Sequence, residues 1–190
     1  MLPSLFLLAT SAFTALATPL STNTPRDEGT DLLIQDLRRL DAAINTLTLA
    51  AETYNGGVAE YAFIRESFAE VNRTNRIAYY DAMTIKPQSI PDSNRIIQIV
   101  ASPIQPDITR TVNALIAKKP LIDTAGFTSE TASSLNLISY DHDTLSLIAV
   151  APKLNLLTVP AAAEPVAAID ADWRRGVVAF GGVPLAPITM

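Results

Sequence analysis

One histidine occurs in the chain, His142, and it stands between two aspartates in Asp141-His142-Asp143. An imidazole flanked by carboxylates could serve as a general base or a metal ligand. Helical geometry denies both roles. Residues at i−1 and i+1 project onto other faces, so neither aspartate can orient the ring or share an ion with it. The chain has no cysteine, and it lacks the G-x-S-x-G elbow, H-E-x-x-H, the EF-hand loop and the phosphate-binding glycine loop. No catalytic residue, metal or cofactor is expected. Asn72-Arg73-Thr74 is a sequon, which makes Asn72 a candidate glycosylation site. Asn75 and His142 each interrupt an otherwise apolar helix face. Both can donate hydrogen bonds, and buried polar groups need partners. They form a candidate polar anchor for a ligand carboxylate, with structural hydrogen bonding as the alternative.

The elements that must position these residues follow from apolar spacing. Leu33, Leu37, Leu40, Ile44, Leu47, Ala51 and Tyr54 alternate steps of four and three, the stripe of a long helix. Asn55-Gly56-Gly57 stops it. A second helix from Val58 to about Met83 places Ile64, Phe68, Val71, Asn75, Ala78 and Ala82 on one face. The prolines of "TIKPQSIPD" mark a loop, and Asp92 or Ser93 is expected to cap a third helix. Its stripe is Ile97, Val100, Ile104, Ile108, Thr111 and Leu115, and Pro103 and Pro106 must kink or split it.

Lys118-Lys119 falls in the last turn of that helix, where cations suit the helix dipole. Pro120 forbids continuation, so Leu121 and Ile122 should cross the bundle end. Thr128 or Ser129 caps a fourth helix with Leu135, Ile138, His142, Leu145 and Ala149 inward. Pro152 ends that helix, and Pro160 opens a fifth. Ala162, Val166, Ile169, Trp173 and Val177 form the fifth helix's inner face, closed by Gly181-Gly182. No alternating strand pattern competes. The spacing predicts an all-α bundle of about five antiparallel helices.

The first 17 residues are apolar and end in Ala15-Leu16-Ala17, the form of a cleaved secretory signal. The expected organisation is a signal peptide over 1–17, a leader over 18–30, the bundle over 31–182 and a tail over 183–190. Secretion without cysteine leaves packing alone to hold the domain. A net charge of −5 with no basic cluster beyond Lys118-Lys119 makes nucleic acid and anionic membranes poor partners, and none is expected. No later apolar run reaches membrane-spanning length.

Tyr54-Asn55-Gly56-Gly57, then Leu115 to Thr128 with Lys118-Lys119-Pro120, Asp123 and Ala125-Gly126, resemble the fungal hydrophobic surface-binding protein family, which includes the cell-wall galactomannoproteins. Leu135, Ile138, Asp141, Asp143 and Leu145 extend the likeness into the fourth helix. The resemblance covers about Asp31 to Phe180. It implies a secreted or wall-associated helical protein with no enzyme activity. Some members bind fatty acids between the helices, and others adsorb to hydrophobic solids and recruit secreted hydrolases. The C-terminal stretch GGVPLAPITM has neither the Ser/Thr-rich stalk nor the apolar tail of a GPI signal, so release is expected over wall anchoring.

Three functions stay open at this level: lipid carriage in a cavity, adsorption to apolar solids, and a structural wall glycoprotein with a solid core. For the first, the expected apolar lining is Leu47, Phe68, Val71, Val100, Ile108, Leu115, Ile138, Leu145, Ile169 and Trp173. The ligand is a fatty acid or other hydrophobic molecule.

Overall fold

The structure is a computed structural model, and it describes residues 28–188. The expected signal peptide and most of the leader lie outside the described residues. Helix α1 spans Glu28–Thr53 and α2 spans Val58–Thr84. All seven residues of the first stripe are buried, as are the six of the second. The two helices pack as an antiparallel hairpin joined by Gly56 and Gly57, whose φ values of 114° and 92° suit glycine. Helix α1 begins three residues earlier than expected. Thr30 is fully buried and its hydroxyl donates to the Gln88 side-chain carbonyl, which fastens that first turn to the α2–α3 loop.

Helix α3 spans Ile90–Ile99, one residue past its cap. The cap is Ser89, not Asp92 or Ser93. Ser89 Oγ accepts from the Asp92 backbone and donates to the Asp92 carboxylate, 3.2 and 2.8 Å. Pro91, read as a loop residue, sits in the first helical turn, where its missing N–H costs nothing. Residues Val100–Ile104 form a widened turn broken by the extended Ser102, before the cis Pro103. Helix α4 then runs Gln105–Ala117. The third stripe is thus split at Pro103, while Pro106 sits harmlessly in the first turn of α4.

The corner after α4 differs from the expected crossing. Lys119–Thr124 forms a short helix, α5, with Pro120 in its first turn. Ile122 is buried. Lys118 gives its charge to another helix: its Nζ donates to the Tyr54 carbonyl at 2.7 Å, at the C-terminal end of α1. Helix α6 spans Thr128–Asp143 and has no side-chain cap, since Thr128 donates instead to Asp123. Phe127 at its entry stacks on Tyr61 with ring centres 4.0 Å apart. The helix continues as a widened π segment, Thr144–Val150, and one tight turn, Ala151–Lys153. Helix α7 spans Val159–Ala179.

The core is continuous through α1, α2, α4, α6 and α7, with Trp173 and Tyr61 among its largest buried side chains. Gly176 lets α7 approach closely, because a Cβ there would stand 3.3 Å from Leu135 and 3.4 Å from Val112. Residues 183–185 are tied down. Asn136 donates to the Val183 carbonyl and accepts from the Leu185 N–H, and Arg174 donates to the Leu185 carbonyl.

Candidate functional site

Three irregularities meet at one end of the bundle. The α3–α4 chain bulges at Val100–Ile104, α6 widens over Thr144–Val150, and α7 carries Pro165. Proline in a helix removes one backbone bond and crowds the preceding turn. None of these segments can pack as a straight rod against its neighbours. The space left is an apolar pocket of about 190 Å³. Its walls are Leu37 of α1, Ile96, Ile97 and Val100, then Leu145, Ser146, Leu147, Val150, Ala151 and Leu154, and finally Val159, Ala162, Ala163, Pro165 and Val166.

Of the residues expected to line a cavity, Val100 and Leu145 do so. Leu47, Phe68, Val71, Ile108, Leu115, Ile138, Ile169 and Trp173 are buried in the main core and are not among the pocket's walls. Asn75 is 3% exposed and is also not among them; its Oδ1 has no hydrogen-bond partner. His142 stands one shell behind the wall. Its Nδ1 lies 3.3 Å from the Ser146 hydroxyl, and Ser146 faces the pocket. Burial pushes the His142 pKa down to about 4, against smaller pulls upward from the Val166 backbone and the Asp170 charge. The ring is therefore neutral near pH 7, and its Nε2 lacks a hydrogen bond of good geometry.

Asp141 and Asp143 turn away from the ring, as spacing requires. Asp141 pairs with Arg76 of α2 at 3.0 Å, and Asp143 lies 3.5 Å from Arg174 of α7. Burial raises both carboxyl pKa values. Among the described residues no cluster of three or more His, Asp or Glu is placed to hold a metal. Asn72 keeps its Oδ1 buried, and Thr74 of the sequon is 4% exposed with its hydroxyl bonded to the Glu70 carbonyl at 2.9 Å.

A larger groove of about 430 Å³ runs between α1 and α2. It is open and charged: Arg39 pairs with Asp36 and Arg73 with Glu70, while Asp36 Oδ2 has no partner and burial raises that carboxyl's pKa. It suits no apolar ligand. The pocket does, and Ser146 is the polar group in its wall that spacing did not single out. Ser146 lies four residues after His142, on the same side of the helix.

Residues 30–151 match the model of a family described as hydrophobic surface binding protein A. No curated protein matches the chain significantly by sequence. Among solved structures, Afmp4p in complex with palmitic acid is 25% identical with a TM-score of 0.76, covering 80% of this chain and 99% of that one. Ligand binding domain 1 of the Penicillium marneffei MP1 protein, complexed with arachidonic acids, is 18% identical with a TM-score of 0.75, covering 80% and 98%. Domain 2 of that protein, also with arachidonic acids, is 20% identical with a TM-score of 0.76, covering 86% and 100%. Likeness to the two MP1 domains extends to the fold. Among the described residues no helix is long and apolar enough to cross a membrane.

Proposed function

This chain belongs to the hydrophobic surface binding protein A family, and on that premise we propose that it is a secreted, non-enzymatic carrier that takes an acyl chain into the pocket between α3, the end of α6 and the start of α7. The observation that carries the reading is the apolar pocket itself, a partly open cleft walled almost wholly by apolar side chains beside the main core. The acids in complex with the similar structures, palmitic and arachidonic, support the same ligand class.

Volume decides how much of a ligand fits. The pocket of about 190 Å³ is below the roughly 300–1,000 Å³ usual for small-molecule sites, and it offers room for about six groups of water size. Burying six methylenes gains about 5 kcal/mol gross, which association costs largely offset. Tight binding of a sixteen-carbon chain therefore requires the pocket to lengthen, by parting α7 from α3. The Ser146 hydroxyl with neutral His142 behind it receives an uncharged acid or ester head better than a bare carboxylate, which needs a charge or several donors when buried. The Asn75–His142 anchor thereby becomes a Ser146–His142 anchor, with Asn75 as a structural residue.

Native mass spectrometry of protein secreted by a eukaryotic host tests the reading. A co-purified lipid, and palmitate binding after its removal, are expected. Delipidated protein that takes up no fatty acid of any length would refute it. In the same spectra Asn72 is expected without glycan, because a helical sequon with a buried Thr74 is not presented once the domain has folded. N-terminal sequencing should find a first residue at Thr18 or later.

A further inference from the structure

The loop between the pocket's two walls is the most apolar exposed element of this end of the molecule. Leu156 and Leu157 are 86% and 80% exposed, and they stand between Leu154 and Val159, both of which line the pocket. The run 154–163 carries no charge. The loop is held, not loose. The Asn155 N–H donates to Ser93 Oγ at 2.9 Å, and the Thr158 hydroxyl donates to the Asn155 carbonyl at 2.8 Å. Just before it, Gln88 N–H donates to the Lys153 carbonyl at 2.7 Å, and Lys153 Nζ donates to the Met83 and Ile85 carbonyls at 3.1 and 2.8 Å. Those bonds bring the exposed Met83 and Ile90 to the same end, with Lys86 and Lys153 beside them and Glu164 one turn into α7.

We propose that the Leu156–Leu157 loop is a docking lip: it seats in the surface of a zwitterionic lipid layer and passes the acyl chain between that layer and the pocket without a passage through water. This rests on the acyl-chain reading above. Two adjacent leucines held out on a convex loop match a soft, flat apolar phase and offer no groove to a folded partner. Continuity with the pocket gives the contact its use, since a water-insoluble chain resides in a lipid phase before it is bound. Net charge −5 sets the choice of layer: it repels anionic surfaces, while the exposed Lys86 beside the lip suits the phosphate of a choline lipid.

The probe is cis-parinaric acid, transferred from the protein to phosphatidylcholine vesicles carrying a quenching lipid. Transfer from the wild type should speed up in proportion to vesicle concentration. The exposed pair Leu156→Ser/Leu157→Ser should leave the dissociation constant for the probe within twofold. It should slow transfer at least tenfold and make the rate independent of vesicle concentration, while Leu156→Phe/Leu157→Phe keeps the proportionality. Wild-type transfer insensitive to vesicle concentration, or a serine variant as fast as the wild type, overturns the lip. Binding of the probe in vesicle-free buffer is measured first, so that failure of the carrier reading shows there alone. In that event flotation of the unloaded protein with the same vesicles decides: flotation lost in the serine variant upholds the lip, and no flotation of the wild type overturns it.

Discussion

His142 and Asp41 depart from their ordinary pKa values in opposite senses. Burial depresses His142 to about 4, so the folded state refuses a proton that the unfolded chain accepts near pH 6.5. The stability this represents is complete above pH 6.5 and is lost as pH falls toward 4. Asp41 is pushed up to about 6, by burial first and by Asp107 of α4 second. Its contribution is complete below about pH 4 and is lost as pH rises through 6. The two slopes oppose each other between pH 4 and 6. In His142→Leu the destabilising term on acidification disappears, so relative to the wild type the variant should gain about 2 kcal/mol between pH 8 and pH 5. Urea melts at the two pH values read this directly; an unchanged difference would mean that His142 is protonated normally in the fold. The burial of His142 was legible in its phase with Leu135, Ile138 and Leu145. Its bond to Ser146 was not, because Ser146 looks like any polar helix residue until the π segment turns it toward the pocket. Lys118 is a similar case. Spacing puts Lys118-Lys119 in the last turn of the helix, but α4 ends at Ala117, with Lys118 as its cap residue and Lys119 already in α5. The partner of Lys118, the Tyr54 carbonyl, is set by how α1 ends against α4.

At the scale of elements, the apolar stripes located the helices and nearly all their buried faces. Four stripe residues stayed partly exposed: Ile97, Val100, Ala162 and Val166. All four line the pocket. A stripe records which residues face inward and says nothing about whether another helix meets them there. Here Pro103, the π segment and Pro165 keep the facing helices from closing, so inward residues meet empty space. Prolines in the sequence mark kinks, but they do not fix the volume a kink leaves between helices. Spacing alone reads Pro120 as a stop, but proline also begins helices, and here it sits in the first turn of the short helix α5. If the pocket is the site, filling it should abolish binding at little cost to the fold. Val166→Phe is expected to lower affinity for lauric acid at least tenfold while leaving the melting temperature within a few degrees, since the new ring occupies existing space. Calorimetric titration beside a thermal melt checks both. Undiminished affinity would place the ligand elsewhere in the bundle.

Polar ties hold both ends of the bundle, the pocket end through Asn155 with Ser93 and Lys153 with the end of α2, but the seam along the start of α7 is apolar. Polar ties between helices crowd the solid part: Thr48 with Thr111 at 2.6 Å, Asn45 with Asp107 at 2.9 Å, Tyr61 with Thr131 at 2.7 Å, Arg76 with Asp141 at 3.0 Å. From α7, the side-chain ties to α4 and α6 are made by Asp172 and Arg174. The turns of α7 before Ile169 face the pocket with apolar side chains. Such contacts can slide apart and reform without breaking directional bonds, so a ligand can lengthen the pocket while the rest stands still. Ligand at a hundredfold excess over its dissociation constant adds about 2.7 kcal/mol, worth roughly 5–10 °C in melting temperature for a domain of this size. Trp173 lies on the solid side of the boundary, 1% exposed and four residues beyond Ile169. Trp173→Ala should therefore cost about 3–5 kcal/mol. Because Trp173 touches the fold and not the ligand, the variant should keep the same ligand-induced gain above its lowered baseline. Thermal melts of both proteins with and without palmitate separate the two terms. A variant whose ligand-induced gain collapses along with its stability would show that the boundary is misplaced and that the loaded cavity reaches Trp173.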